Sequence, residues 1–270
     1  MPELPEVESV ARQCRDAIPP LLGHAIGSLE LIWPGVVDGV EQERFLQIVS
    51  GRIIRSVSRH GKYLFFGLAD GNDLLFMALH LRMTGIVRTG DAQMQPGPHT
   101  RMRIGMDSGA TLFFDDPRKF GRVWLVNDPT DVINSLGPDA LEICAGEFAS
   151  RIRQKGRQLK PLLLDQSFVA GIGNIYADES LFQAGLHPLC NTRILDDAGI
   201  GRLYQAVVSV LQEAVHAGGA NIDGVFKAGE YAVRVYGREG RPCVNCGRPI
   251  EKIRVGQRGT HFCPFCQPMP

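Results

Sequence analysis

Two groups of residues in this chain carry chemistry by type and spacing: the amine end, and four cysteines close to the other end. A proline follows the initiator methionine in MPELPEVE. A residue that small permits methionine removal, which would expose a secondary amine at Pro2. Model α-amines titrate at about 7.7–8.0 against about 10.4 for lysine, so an α-amine offers far more unprotonated nucleophile at neutral pH. Such an amine can attack a sugar aldehyde carbon, and the resulting iminium is an electron sink for eliminating a neighbouring phosphate. Taken alone, a proline at position 2 is more often only a processing signal. Glu3 and Glu6 lie where a carboxyl group could move protons at that sugar. They would serve equally well as acids at a helix N-terminus.

The cysteines form two Cys-x-x-Cys pairs, Cys243 with Cys246 and Cys263 with Cys266, separated by sixteen residues. That spacing suits two β-hairpin knuckles around one tetrahedral zinc, with Gly247 and Pro264 at the turns. A pair of disulfides is the competing reading, disfavoured in a reducing compartment. Four thiolates leave no open coordination position, so one zinc ion here would be structural, and its binding would fold a segment too short to fold alone. The same segment is basic: Arg234, Arg238, Arg241, Arg248, Lys252, Arg254 and Arg258 face only Glu239 and Glu251 between Tyr231 and Phe262. Net charge over the whole chain is +0, so a polyanionic partner must be recognised by local charge of this kind.

The elements that must position these groups can be read from the pattern. The chain has 270 residues, 44% hydrophobic and 21% charged, a globular composition. It shows neither a signal-peptide pattern nor an apolar run long enough to span a membrane, and a cytoplasmic protein is expected. Cys14, Cys144 and Cys190 are scattered singly, as thiols are in reduced compartments. Apolar spacing over 5–18 predicts a helix that begins almost at once. From 26 to 126 the chain is rich in β-branched and aromatic residues with turn signals between them, and 92–99 reads as an exposed loop. After Leu136-Gly137-Pro138 the pattern turns helical, in LKPLLLDQ, YADESLFQAG and IGRLYQAVVSVLQEAVHAGG, the last closed by a glycine pair. In GIGNIYADE, Gly171, Gly173 and Asn174 form a turn opening a helix, where backbone amides can hold a phosphate. The predicted class is α+β. An antiparallel β-sandwich with an N-terminal helix occupies 1–133, a hinge 134–140, a helical module 141–229 and the four-cysteine hairpin 230–270.

Several strings in this order, MPELPEVE, RHGKYL, HLRMTG, DPRKFGR, LKPLLLDQ, GIGNIYADE and the terminal cysteine pairs, resemble the formamidopyrimidine-DNA glycosylase and endonuclease VIII family over nearly the whole chain, and its formamidopyrimidine branch more closely. The resemblance implies a bifunctional DNA glycosylase and AP lyase of base excision repair, working through a Schiff base on Pro2 and β,δ-elimination. It implies Glu3 as the acid at the sugar, Glu6 as a supporting carboxylate, Lys62 at the phosphate beside the lesion and Arg258 at the flanking phosphates. Met83, Arg118 and Phe120 match the trio that fills the gap left by a flipped base, although Met83 and Phe120 could equally be sandwich core. His99, Lys119, Asn174 and Lys160 match positions that contact or approach DNA, and 141–229 matches a helix-two-turn-helix element. The implied partner is double-stranded damaged DNA, bound by a monomer with no small-molecule cofactor. The segment 220–234 is shorter than its counterpart in formamidopyrimidine relatives, where that stretch closes over 8-oxoguanine. Formamidopyrimidines therefore remain the expected substrate, with 8-oxoguanine and oxidised pyrimidines open. An endonuclease VIII-like specificity is the nearest alternative. A non-catalytic zinc-ribbon DNA-binding protein would explain the C-terminus equally well, but not Pro2, Glu3 and Lys62 together.

Overall fold

In the computed structural model, which describes residues 2–222, 224 and 229–269, the β-branched half of the chain folds as eight antiparallel strands. Helix α1 (Leu4–Arg15) precedes β1 (Ile26–Leu31), and α2 (Gln42–Val49) leads into β2 (Ile53–His60), β3 (Tyr63–Asp70) and β4 (Asp73–His80). Then come β5 (Ile86–Asp91), β6 (Thr100–Met106), β7 (Ala110–Asp115) and β8 (Arg122–Val126). They form two four-stranded sheets, ordered β1-β6-β7-β5 and β2-β3-β4-β8. Strand β6 buries every second residue, the signature of a sheet with one covered face, while β3 is buried along nearly its whole length. Leu64, Phe66 and Met77 of one sheet share a core with Met102, Leu112 and Phe114 of the other, closed by Val7 and Val10 of α1 and Phe45 of α2. Each such side chain contributes about 1.5–3 kcal/mol on burial. The stretch 92–99 connects β5 to β6 as a loop.

The remainder is helical: α3 (Thr130–Ile133), α4 (Ala145–Arg153), α5 (Leu159–Leu163), α6 (Asn174–Ala184) and α7 (Asp197–His216). Asp196 caps α7 by accepting from the Gly199 amide at 2.7 Å, and the predicted glycine pair ends it, Gly218 and Gly219 having φ of 71° and 95°. Helix α6 buries nine of its eleven residues, Asp178 and Glu179 included, so it shows no polar stripe. The cysteine segment folds as a hairpin of β9 (Glu251–Val255) and β10 (Arg258–Phe262). Its two-residue turn, Gly256-Gln257, has φ of 52° and 64°, the type I′ geometry that matches strand twist.

The described residues fall into two compact units. The first holds Pro2, Glu6–Ser135, Ile222 and Gly224; the second holds Glu3–Pro5, Leu136–Asn221 and the residues from Gly229 onward. The division at 135/136 lies inside the stretch read as a hinge. That Glu3–Pro5 belong with the helical unit was not legible in the pattern. Part of the short segment 220–234 lies outside the described residues.

Candidate active site

The start of the chain is fixed by the beginning of α6. Glu3 is buried, and its carboxylate accepts from the backbone N–H groups of Gly173 (2.9 Å), Ile175 (2.9 Å) and Tyr176 (3.2 Å). These are amides that a helix leaves without internal partners, and the positive end of the helix favours a carboxylate there. The Leu4 N–H adds a bond to Gly171 O at 3.1 Å. A Cβ on Gly173 would lie 2.3 Å from Glu3 Cδ, and one on Gly171, which has φ +109°, would lie 2.5 Å from Leu4 Cδ1. The Gly-x-Gly string thus provides room for residues 3 and 4. Pro2 and Glu6 are both buried.

Lys62 occupies the two-residue turn between β2 and β3, after Gly61 at φ +56°, and is 9% exposed. It is therefore not the solvent-facing strand lysine that its neighbours alone would suggest. Arg59 steadies that turn: its Nη1 donates to Gly61 O at 3.0 Å and its Nε to Glu8 of α1 at 3.1 Å. Nearby, burial and then the charges of Arg82 and Lys62 push the His80 ring from its ordinary 6.5 down to about 3. The neutral ring accepts the Arg82 N–H on Nδ1 at 2.9 Å, holding the turn that carries Met83. The unfolded ring takes its proton near 6.5 and the folded one only near 3, so acidification across that window favours the unfolded chain. Urea unfolding at pH 7, 6, 5 and 4 is expected to show stability falling with pH, with His80→Gln flattening the slope by up to about 1.4 kcal/mol per pH unit. An unchanged slope in the variant would refute this placement of His80.

The trio Met83, Arg118 and Phe120 belongs to the first unit and faces solvent. Met83 is 39% and Phe120 45% exposed, against the core reading, and the Arg118 guanidinium lies 4.6 Å from the Phe120 ring centroid. Lys119 has φ +60° and its ammonium lies 5.7 Å from the Trp33 ring centroid. His99 is exposed at the end of the β5–β6 loop, where its carbonyl accepts the Asp116 N–H at 2.8 Å.

In the second unit, Asn174 opens α6 and donates through Nδ2 to Gly259 O at 3.1 Å, beside Arg258. Arg258 is exposed at the first position of β10, immediately after the turn, and Arg241 and Arg254 are also exposed. Other cations of the basic stretch are engaged internally, Arg234 with Glu213 at 2.7 Å and Arg248 over the Phe265 ring at 3.9 Å. Lys160 differs from its expected place near DNA. It is fully buried and pairs with the equally buried Asp178, burial driving its pKa down against the pull of that carboxylate. A lysine so placed supports the interior and presents no charge to a phosphate. Asp178 also accepts the His261 N–H of β10 at 2.9 Å. Its neighbour Glu179 accepts the N–H groups of Arg234, Val235 and Tyr236 at 2.8, 2.9 and 2.9 Å. The sequence reading missed these two acids. Their signal was two adjacent carboxylates in a helix with no polar face, since buried charges persist only when paired.

The sulfurs of Cys243, Cys246, Cys263 and Cys266 lie within 4.8 Å of one another, with Cys243–Cys266 at 3.8 Å and Cys246–Cys263 at 3.5 Å. Zinc–sulfur bonds of about 2.3 Å imply tetrahedron edges of about 3.8 Å, so the set fits one zinc ion. The backbone N–H of Asn245 points at Cys243 Sγ and that of Cys266 at Cys263 Sγ, both at 3.4 Å, as thiolates require. Beyond the knuckles a small apolar cluster of Phe182, Val235 and Ile250 supports the hairpin, together with the bonds of β10 to Asp178 and Asn174. Zinc binding by such segments supplies about 10–16 kcal/mol of folding energy. Chelation of the full chain, or Cys263→Ser, is expected to open residues 241–267 to protease and weaken DNA binding at least about tenfold, reversibly on adding zinc after chelation. Protease resistance without metal would contradict it.

Three family models match consecutive parts of the chain: the formamidopyrimidine-DNA glycosylase N-terminal domain over residues 1–123, the formamidopyrimidine-DNA glycosylase H2TH domain over 136–224, and a zinc finger found in FPG and IleRS over 240–268. Among curated proteins, the formamidopyrimidine-DNA glycosylase of Pelotomaculum thermopropionicum is 41% identical, with 99% of each chain covered. That of Herpetosiphon aurantiacus is 40% identical, covering 99% of this chain and 100% of its own. Among solved structures, Lactococcus lactis Fpg in complex with abasic-site DNA matches with TM-score 0.90 at 33% identity, and the same protein with FAPY-dG DNA with TM-score 0.89 at 34%. Both matches cover 99% of this chain and 100% of the other.

Proposed function

The chain belongs to the formamidopyrimidine-DNA glycosylase family and is a bifunctional glycosylase and AP lyase of base excision repair; from that premise we propose that Pro2 is its nucleophile and Glu3 the acid at the sugar. The observation that carries this reading is the clamp on Glu3. Three backbone amides hold the residue next to Pro2, in space that only a glycine at 173 leaves open. Fixing a reacting group in this way is what makes an attack effectively intramolecular.

The chemistry needs no added reagent but water, which at the end hydrolyses the imine to free Pro2 and the unsaturated sugar aldehyde. The Pro2 nitrogen bonds to C1′ as the glycosidic bond breaks and the base leaves with a proton. Opening of the sugar yields an iminium, which permits loss of a proton from C2′ and departure of the 3′ phosphate. A second elimination releases the 5′ phosphate, leaving a one-nucleotide gap. Lys62 serves the phosphate beside the lesion and the first elimination, Arg258 the flanking phosphates and the second, and Glu6 supports Glu3. Met83, Arg118 and Phe120 fill the gap of the flipped base, a step that costs a few kcal/mol. His99, Lys119 and Asn174 hold DNA; Lys160 does not. The DNA is double-stranded and damaged, the enzyme works as a monomer in the cytoplasm, and no small-molecule cofactor takes part. No helix among the described residues is long and apolar enough to cross a membrane.

Borohydride trapping tests this reading, on a duplex carrying 8-oxoguanine opposite cytosine and on an abasic duplex. An adduct on both gives the Schiff base and an 8-oxoguanine activity that survives the short 220–234 segment. An adduct on the abasic duplex alone keeps the lyase and moves the substrate to formamidopyrimidines or oxidised pyrimidines. An adduct on neither overturns the nucleophile.

A further inference from the structure

The geometry assigns Asp116 a role in flipping: it is the positioning residue that joins the turn carrying Met83 to the turn carrying Arg118 and Phe120, making one rigid wedge. The inference rests on the reading that these three side chains fill the gap in the helix.

Asp116 is 1% exposed, and a buried carboxylate must have its oxygens satisfied. Four donors do so, as many as a carboxylate has lone-pair sites. Oδ1 accepts from Thr84 Oγ1 at 2.5 Å and from the Arg118 N–H at 3.2 Å. Oδ2 accepts from the Phe120 and Gly121 N–H groups, each at 2.7 Å. One side chain thus fixes the backbone at two wedge residues and, through Thr84, the residue next to the third.

A second, independent observation couples the same two turns. Each ends in a glycine packed against Phe114 of β7: a Cβ on Gly85 would lie 2.9 Å from its Cε2, and one on Gly121 2.3 Å from its Cζ. Both turns also hold a non-glycine residue in the left-handed region, Arg82 at φ 58° and Lys119 at φ 60°. Such residues are strained and persist only where their surroundings over-determine them. Here they sit beside exposed side chains that contribute little to the stability of the unit. A wedge that enters stacked bases gains from being ordered beforehand, because the entropy of fixing it is then not charged against insertion.

The discriminating variant is Thr84→Val, which keeps shape and removes the hydrogen-bonded link between the turns while leaving their packing on Phe114; Thr84→Ser restores the hydroxyl, and Asp116→Asn removes an acceptor. Single-turnover excision from a damaged duplex is compared with strand scission of a single-stranded abasic oligonucleotide, which has no opposite base and needs no wedge. Thr84→Val is expected to slow duplex excision about tenfold and Asp116→Asn about a hundredfold, with scission of the single strand within about twofold and Thr84→Ser near wild type. Equal losses on both substrates, or unchanged duplex excision in Thr84→Val, would overturn the assignment. Phe120→Ala separates the layers. If it slows duplex excision while Thr84→Val does not, the void-filling reading stands and the role of Asp116 falls; if Phe120→Ala is also silent, both fall.

Discussion

A chain whose Pro2 nitrogen remains in an amide, because Met1 is retained or an uncleaved extension precedes it, will form no borohydride adduct and lose at least about a thousandfold in strand scission, while still binding damaged duplex. The amide nitrogen has no available lone pair, so the covalent step cannot begin. The phosphate contacts assigned to Lys62, Lys119 and Arg258 do not depend on it, and binding by both forms should weaken in parallel as salt rises. Protein purified from cells should lack one methionine by intact mass. Full retention of Met1 in active enzyme would end the mechanism proposed for Pro2.

Substituting Gly173 by alanine is expected to lower single-turnover excision by about a hundredfold and stability by about 1–3 kcal/mol. The backbone there, at φ −126°, suits alanine, so the damage comes from proximity: the new methyl would lie 2.3 Å from Cδ and 2.5 Å from Oε1 of Glu3. Glu3 must then leave at least part of its three-amide clamp, and a displacement of about 1 Å at a reacting group is enough for that loss. Gly146→Ala in α4 is the control. Nothing lies within 4 Å of its added Cβ, so it should be neutral or stabilising by up to about 1 kcal/mol. A Gly173→Ala protein that melts early but excises at the wild-type rate per folded molecule would separate Glu3 placement from catalysis.

What could be read from the sequence follows from which interactions are local. The zinc centre was legible because four ligands in two pairs encode their own geometry, and α7 because its apolar repeat and closing glycines are neighbours in the chain. The strands declared themselves by composition, but the two sheets could not, since which strand pairs with which depends on contacts far apart. Met83 and Phe120 have core-type side chains, and nothing nearby in sequence says that their turns hold them outward. Lys160 misled for the opposite reason: a lysine beside a proline looks exposed until Asp178, on another helix, is seen to neutralise it. The role of Asp116 was hidden because three of its four donors are backbone N–H groups, which every residue carries.

The clamp on Glu3 spans 170 residues to Gly173 and 173 to Tyr176. During synthesis the amine end emerges first, and the helix start that holds Glu3 only some 170 residues later. A nascent chain therefore carries an exposed, unheld amine until the helical unit has been made and has closed that long loop. On the role proposed for Pro2, capacity for covalent chemistry then waits until translation has gone far enough for α6 to form. A truncated product ending before Gly173 would keep the nucleophile but have nothing to aim it.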